Sequence, residues 1–139
     1  MAAFNKFNAF VADIHNGVHN LGSHTLKIML SNTAPVATNA VKADISEISA
    51  GNGYTAGGTA LSGVTSTQTG GTYNLKASNL TVVVATGAVG PFRYAVLYNA
   101  TAAGGPLIGY WDYGASIALA NTEFWPVTFD AVNGLFSDT

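Results

Sequence analysis

Over the first 21 residues, apolar side chains recur in steps of three and four, at Phe4, Phe7, Val11, Ile14, Val18 and Leu21. That spacing keeps side chains on one stripe of a helix. Asn5, Lys6, Asp13, His15, Asn16 and His19 fall off the stripe. Gly22 stands where a helix stop belongs, and Gly17 costs about 1 kcal/mol of helix propensity. The pattern predicts an N-terminal helix over 1–22, irregular near Gly17.

From Thr25 the period changes to two. "TLKIML" (25–30) sets Leu26, Ile28 and Leu30 against Lys27 and Met29. "SNTAPVATNA" reads as an extended arm, because Pro35 biases Ala34 away from helix. In "DISEIS" (44–49), Asp44 and Glu47 have the spacing of a capping box around one short helical turn. Further strands are predicted over 59–69, 72–78, 80–86, 92–100, 106–114 and 123–130. Gly70-Gly71 reads as a hairpin turn, and Pro126 marks an edge or a bulge.

The pattern therefore predicts a mainly β fold, an antiparallel β-sandwich or open barrel of jelly-roll-like character with an N-terminal α-helix. At 139 residues the expectation is one domain. It would comprise the helix (1–22), an extended arm with a short helical turn and a Gly-rich loop (23–58), and the sandwich (59–139).

Charge changes the picture most. Asp, Glu, Lys and Arg make up only 9% of the chain, against roughly 25% in ordinary soluble domains. A charged surface keeps monomers apart, so a chain without one is expected to share its surface with other subunits. Net charge −2 with five scattered cations argues against a nucleic-acid partner. No apolar run approaches the roughly 18 residues of a membrane span, and no secretory signal is visible. The absence of cysteine excludes disulfides and thiolate metal sites.

Candidate chemistry is sparse. "GNGYTAGGTA" (51–60) carries four glycines but lacks the G-x-G-x-x-G fingerprint. Its Gly53–Gly58 spacing is that of a P-loop, yet Thr59 and Ala60 stand where Lys and Ser/Thr are required. It is expected to be a contact loop that runs close to another backbone, with Tyr54 as anchor. His15, His19 and His24 have ligand-like spacing, but Asn16 occupies the position of the catalytic Glu in H-E-x-x-H. They are expected to be solvated or packed imidazoles, with no metal and no cofactor. Asp112, Asp130 and Glu123 are candidates for the paired carboxylates of glycoside hydrolysis, and the aromatics around Asp112 would suit sugar stacking, with nothing to show that the carboxylates meet. Arg93, the sole arginine, is expected to pair with Asp112 on a neighbouring strand. Phe4, Phe7, Val11, Tyr54, Phe92, Arg93, Trp111 and Trp125 are the candidate interface residues, with Tyr54, Phe92, Trp111 and Trp125 as anchors or core.

"VHNLGSHTLKIMLSNTAPVATNAVKADISEISAGNGYTAGGTAL" (18–61), "GPFRYAVLYNAT" (90–101) and "PLIGYWDYGASIAL" (106–119) resemble a family of small structural proteins of tailed bacteriophages. The resemblance covers most of the chain and looks most like a capsid decoration, or cement, protein. It implies a non-enzymatic virion subunit, β-rich and homotrimeric, that binds the outer shell and stabilises it. Its partners would be the major capsid protein and neighbouring copies of itself. It would send an N-terminal segment across neighbouring capsomers and sit on the capsid surface after assembly in the host cytoplasm. Two alternatives stay open: a head–tail joining, tail or fibre component, and a carbohydrate- or receptor-binding tip.

Overall fold

The computed structural model describes residues 3–130 and 134–138. Residues 1–2 of the predicted helix, and 131–133 and 139 of the predicted sandwich, lie outside the described residues. In chain order the first elements are β1 (Phe4–Lys6), α1 (Asn8–His15), β2 (Leu26–Ser31), a single 3-10 turn (Lys42–Asp44), β3 (Thr59–Ala60) and β4 (Thr65–Thr69). There follow β5 (Thr72–Lys76), β6 (Leu80–Val84), β7 (Val89–Asn99), β8 (Leu107–Leu119), β9 (Phe124–Val127) and β10 (Phe136–Asp138). A five-stranded sheet has the order β1-β8-β7-β2-β3, a three-stranded sheet β10-β5-β4, and a ribbon β6-β9. All pairings are antiparallel. The fold is mainly β, with several antiparallel sheets and one N-terminal helix, and among the described residues no sheet closes into a barrel.

Both faces of the large sheet are buried. Ile28, Leu30, Leu97, Ile108 and Trp111 share the main core with Leu75 of β5, Val83 of β6, Trp125 of β9 and Phe10 of α1. Phe7, Met29, Ile45, Val96, Tyr98 and Leu107 form a second cluster. Met29 is as deeply buried as Ile28 and Leu30, which is why β2 reads as an apolar run and not as strict alternation. Bulges in the β7–β8 hairpin redistribute side chains between the faces. The register shifts between Phe92 and Tyr94, so Phe92 and Ala95 both enter the main core while Tyr94 turns to Tyr110.

The helix is shorter than its apolar stripe predicts. Phe4–Lys6 pairs with Gly109–Trp111 of β8 and is therefore extended. In an extended chain, residues three apart face opposite sides. Phe4 lies on Trp111, with ring centroids 5.3 Å apart, and Phe7 enters the second cluster. Within α1 the inward residues are Phe10 and Ile14, an i, i+4 pair, leaving Val11 44% exposed. The stop comes at Gly17 (φ +76°), where the Val18 N–H reaches the Asp13 carbonyl at 2.9 Å. This is the six-to-one bond of a Schellman cap around a left-handed residue.

The predicted arm, residues 23–58, begins with an interior strand and then folds back onto its own sheet. Asn8 N–H donates to Ala37 O at 2.9 Å, Leu107 N–H to Ala40 O at 3.0 Å, and Lys42 N–H to Gly105 O at 2.8 Å. The helical turn lies at Lys42–Asp44, upstream of the predicted 44–49. Asp44 does not open the turn. Its carboxylate reaches back to accept the N–H groups of Ala40 and Val41 at 3.0 and 3.2 Å, and these bonds hold its pKa below the ordinary carboxylate value.

The remaining predicted strands are present with shifted ends. The 59–69 strand divides into β3 and β4 around Gly63 (φ +61°). Gly70 and Gly71 both take positive φ between Thr69 and Thr72, which are paired, as a two-residue hairpin requires. Pro126 sits opposite Thr81, where the β6–β9 register slips.

Candidate contact surface

Of the predicted contact residues, most turn inward. Phe7, Tyr54, Phe92, Trp111 and Trp125 are all buried within the subunit. Trp125 is held edge-on between Phe92 and Tyr113, at 5.0 and 4.9 Å. Phe4 is half-buried, stacked on Phe136 at 5.1 Å. Val11 and Arg93 remain at the surface.

Arg93 does pair with Asp112. Its Nε donates to Oδ1 at 2.7 Å and its Nη2 to Oδ2 at 3.1 Å, a planar two-bond fork. Oδ1 also accepts the Gly114 N–H at 2.8 Å. The guanidinium, with help from that N–H, holds the Asp112 carboxyl below its ordinary pKa. The pair tethers adjacent strands at the β7 bulge.

The glycine loop makes its close approach to its own chain. Tyr54 Oη accepts the Leu30 N–H at 3.0 Å and donates to Glu47 Oε2 at 2.6 Å. The same carboxylate oxygen accepts the Gly57 N–H at 2.6 Å, while Tyr98 Oη donates to the Gly57 carbonyl at 2.6 Å. Burial, then the Glu47 carboxylate, pushes the Tyr54 phenol far above its usual pKa, so it remains a donor at every working pH. β3 covers only Lys27 and Ile28 of β2. Beyond it, Tyr54 Oη takes the Leu30 N–H and the Ile48 N–H reaches the Leu30 carbonyl at 3.0 Å. The loop thus stands in for a missing neighbour strand and closes a sheet edge. At Gly58 (φ +79°) a Cβ would lie 1.9 Å from the Ile28 carbonyl oxygen, and at Gly53 2.1 Å from that of Val84.

The histidines separate. His15 is exposed. His19 and His24 converge, each with Nδ1 on the Asn99 amide nitrogen, at 3.0 and 2.8 Å. The point where a metal would sit is filled by that NH2 group. Among the described residues no group of three or more His, Asp or Glu side chains is arranged to hold a metal ion. Two of the carboxylates considered for catalysis are engaged in local structure: Asp112 as above, and Glu123 accepting the Ala120 N–H at 2.6 Å.

What the pattern missed is the outer face of the β6–β9 ribbon. Val84 and Phe124 are direct cross-strand partners, 59% and 61% exposed. Thr81 and Pro126, also paired and exposed, extend that face without charge. Two signals were available. "VVV" (82–84) cannot place three consecutive side chains on one face of a strand, and adjacent Phe124 and Trp125 must face opposite ways.

No protein family, curated protein or solved structure matches the chain.

Proposed function

We propose that this chain is a non-enzymatic structural subunit of a tailed-bacteriophage particle, a decoration subunit that binds the outer shell and stabilises it. The Val84–Phe124 pair carries the reading. Two large apolar side chains lie side by side, each more than half exposed, on a chain whose charged residues amount to 9%. Such a face gains free energy when another surface covers it, and a central aromatic is a common anchor of protein contacts. The outer strand β4, Thr-Ser-Thr-Gln-Thr, is exposed along its whole length and uncharged, an edge permissive for pairing with another chain.

The partners come from the resemblance of residues 18–61, 90–101 and 106–119 to phage structural proteins: the major shell protein, and further copies of this chain in a trimer. In the same reading the two smaller sheets, which share the main core with the inner face of the large one, form the second layer of a jelly-roll-like sandwich. Immunogold labelling of purified particles, with gel densitometry against the major shell protein, tests the proposal. Dense labelling of the head, near one copy per shell subunit, is expected. Labelling confined to neck, tail or fibre, or none at all, refutes the decoration role.

A further inference from the structure

We propose that the His19–Asn99–His24 knot is an acid-sensitive latch that holds residues 16–25 over an apolar groove and releases them when a histidine of the knot is protonated. The groove, about 430 Å³, is lined by Phe10, Leu21, His19, Ser66, Tyr73 and Phe136, with Phe10 and Phe136 in edge-to-face contact at 5.7 Å.

Hydrogen-bond geometry assigns the tautomers. Asn99 Oδ1 accepts the N–H groups of Thr101 and Ala102 at 2.9 and 3.1 Å, so its NH2 must face the imidazoles. Each of its two N–H groups then meets an Nδ1. His24 Nδ1 additionally accepts the Asn20 N–H at 3.2 Å. Both rings are therefore acceptors at Nδ1 and carry their proton on Nε2.

Protonating either ring puts an N–H where Asn99 already presents one. Flipping the amide would relieve that clash only by turning its NH2 toward the Thr101 and Ala102 donors. Neither arrangement satisfies the knot, so protonation sets its hydrogen bonds against the burial of Leu21 that otherwise holds the loop down. Its grip is already incomplete, since His19 is 7% exposed and its Nε2 is buried without a partner. Opening hydrates that group.

The surroundings of His19 set the direction. Burial disfavours its charge most; Asp13 of α1 acts the other way, and His24 adds repulsion, for a net lowering of its pKa. Phe10 of α1 lies against the ring at 5.2 Å, and β4 and β5 line the same groove with the uncharged Ser66 and Tyr73. The burial of His19 therefore favours the closed latch at neutral pH, and acidification opens it.

Hydrogen exchange of the whole protein at pH 7.5 and 5, expressed as protection relative to the free chain at the same pH, tests this. Protection over 16–25 is expected to fall about tenfold or more, with β7 and β8 unchanged. His15→Gln should keep the response, and the His19→Gln/His24→Gln double variant should lose it. Unchanged protection in the wild type, a response that survives the double variant, or one abolished by His15→Gln overturns the latch. Should the double variant not fold, nitrogen NMR of the wild-type rings decides: both must carry Nε2–H at neutral pH, and a ring with its proton on Nδ1 refutes the knot.

Discussion

Replacing Tyr54 by Phe removes one oxygen from the point where the glycine loop meets β2. The ring is 2% exposed, and Phe fills the same space, so the change is confined to hydrogen bonds. Two are lost: the one accepted from Leu30 N–H at 3.0 Å, and the one donated to Glu47 at 2.6 Å. The Leu30 N–H is buried at the closed edge of β2 and is left without an acceptor, which costs about 1–3 kcal/mol. A bond to a charged group contributes about 1.5–3 kcal/mol. The second figure must be discounted, because Glu47 is partly exposed and keeps the Gly57 N–H. The expected loss is about 2–4 kcal/mol.

Equilibrium urea unfolding measures it. With a slope near 2 kcal/mol per molar urea, a loss of about 3 kcal/mol moves the midpoint down by about 1.5 M. Glu47→Gln keeps one carbonyl acceptor and should cost less than Tyr54→Phe. A double-mutant cycle between the two should return a coupling of about 1 kcal/mol or more, as for residues in one network. A Tyr54→Phe loss below about 0.5 kcal/mol at unchanged slope, well under the cost of an orphaned buried N–H, would refute the view that this hydroxyl closes the edge of β2.

Gly58→Ala should destabilise by more than about 3 kcal/mol, since its Cβ would meet the Ile28 carbonyl at 1.9 Å on top of left-handed strain. Gly70→Ala, with nothing within 4 Å of its Cβ, should lose only the strain, about 1–2 kcal/mol; similar unfolding midpoints for the two variants would contradict the close-approach argument. Stability should decline as pH falls through 6.5, because the folded-state pKa of His19 lies below that value and the unfolded chain takes up the proton first. The slope from this group is at most about 1.4 kcal/mol per pH unit and vanishes below the folded-state pKa, so a His19→Gln variant should show a shallower acid limb in a series of urea titrations. Phe124→Ser should leave the unfolding midpoint nearly unchanged, the ring being 61% exposed. Binding of the variant to undecorated shells, measured by cosedimentation, should weaken about tenfold or more, in line with loss of an aromatic anchor; wild-type affinity would remove the ribbon from the contact.

What could be read in advance follows the range of the interactions involved. The strands were visible because alternation is local, and the Gly70-Gly71 turn because left-handed backbone strongly favours that residue. The Arg93–Asp112 pair was inferable because a lone guanidinium in an apolar strand needs a carboxylate within reach. The helix was overextended because the spacing of Phe4 and Phe7 fits a helical stripe equally well as a strand whose residues split between two cores. Nothing local tells these apart; the pairing of Phe4 with Trp111, over a hundred positions away, decides it. The docking of the 23–58 segment was illegible for the same reason, since Ala37, Ala40 and Lys42 bond to residues far along the chain or far back in it. The large aromatics were the natural choices for a contact surface, yet size selects equally for core. Trp125 went inside and its neighbour Phe124 outside, a choice of strand face that composition does not encode.

The contrast between two sheet margins is the stronger argument about function. At β2 the chain closes an edge with Glu47, Tyr54, Tyr98 and a loop in which Gly58 touches the Ile28 backbone. A Cβ at Gly58 would prevent that seal, so the local sequence is committed to it. At β6–β9 the same chain leaves the paired side chains of Val84 and Phe124 more than half exposed. A chain able to protect one margin so thoroughly has the means to protect the other. An exposed apolar pair of this kind is what the proposed contact face requires.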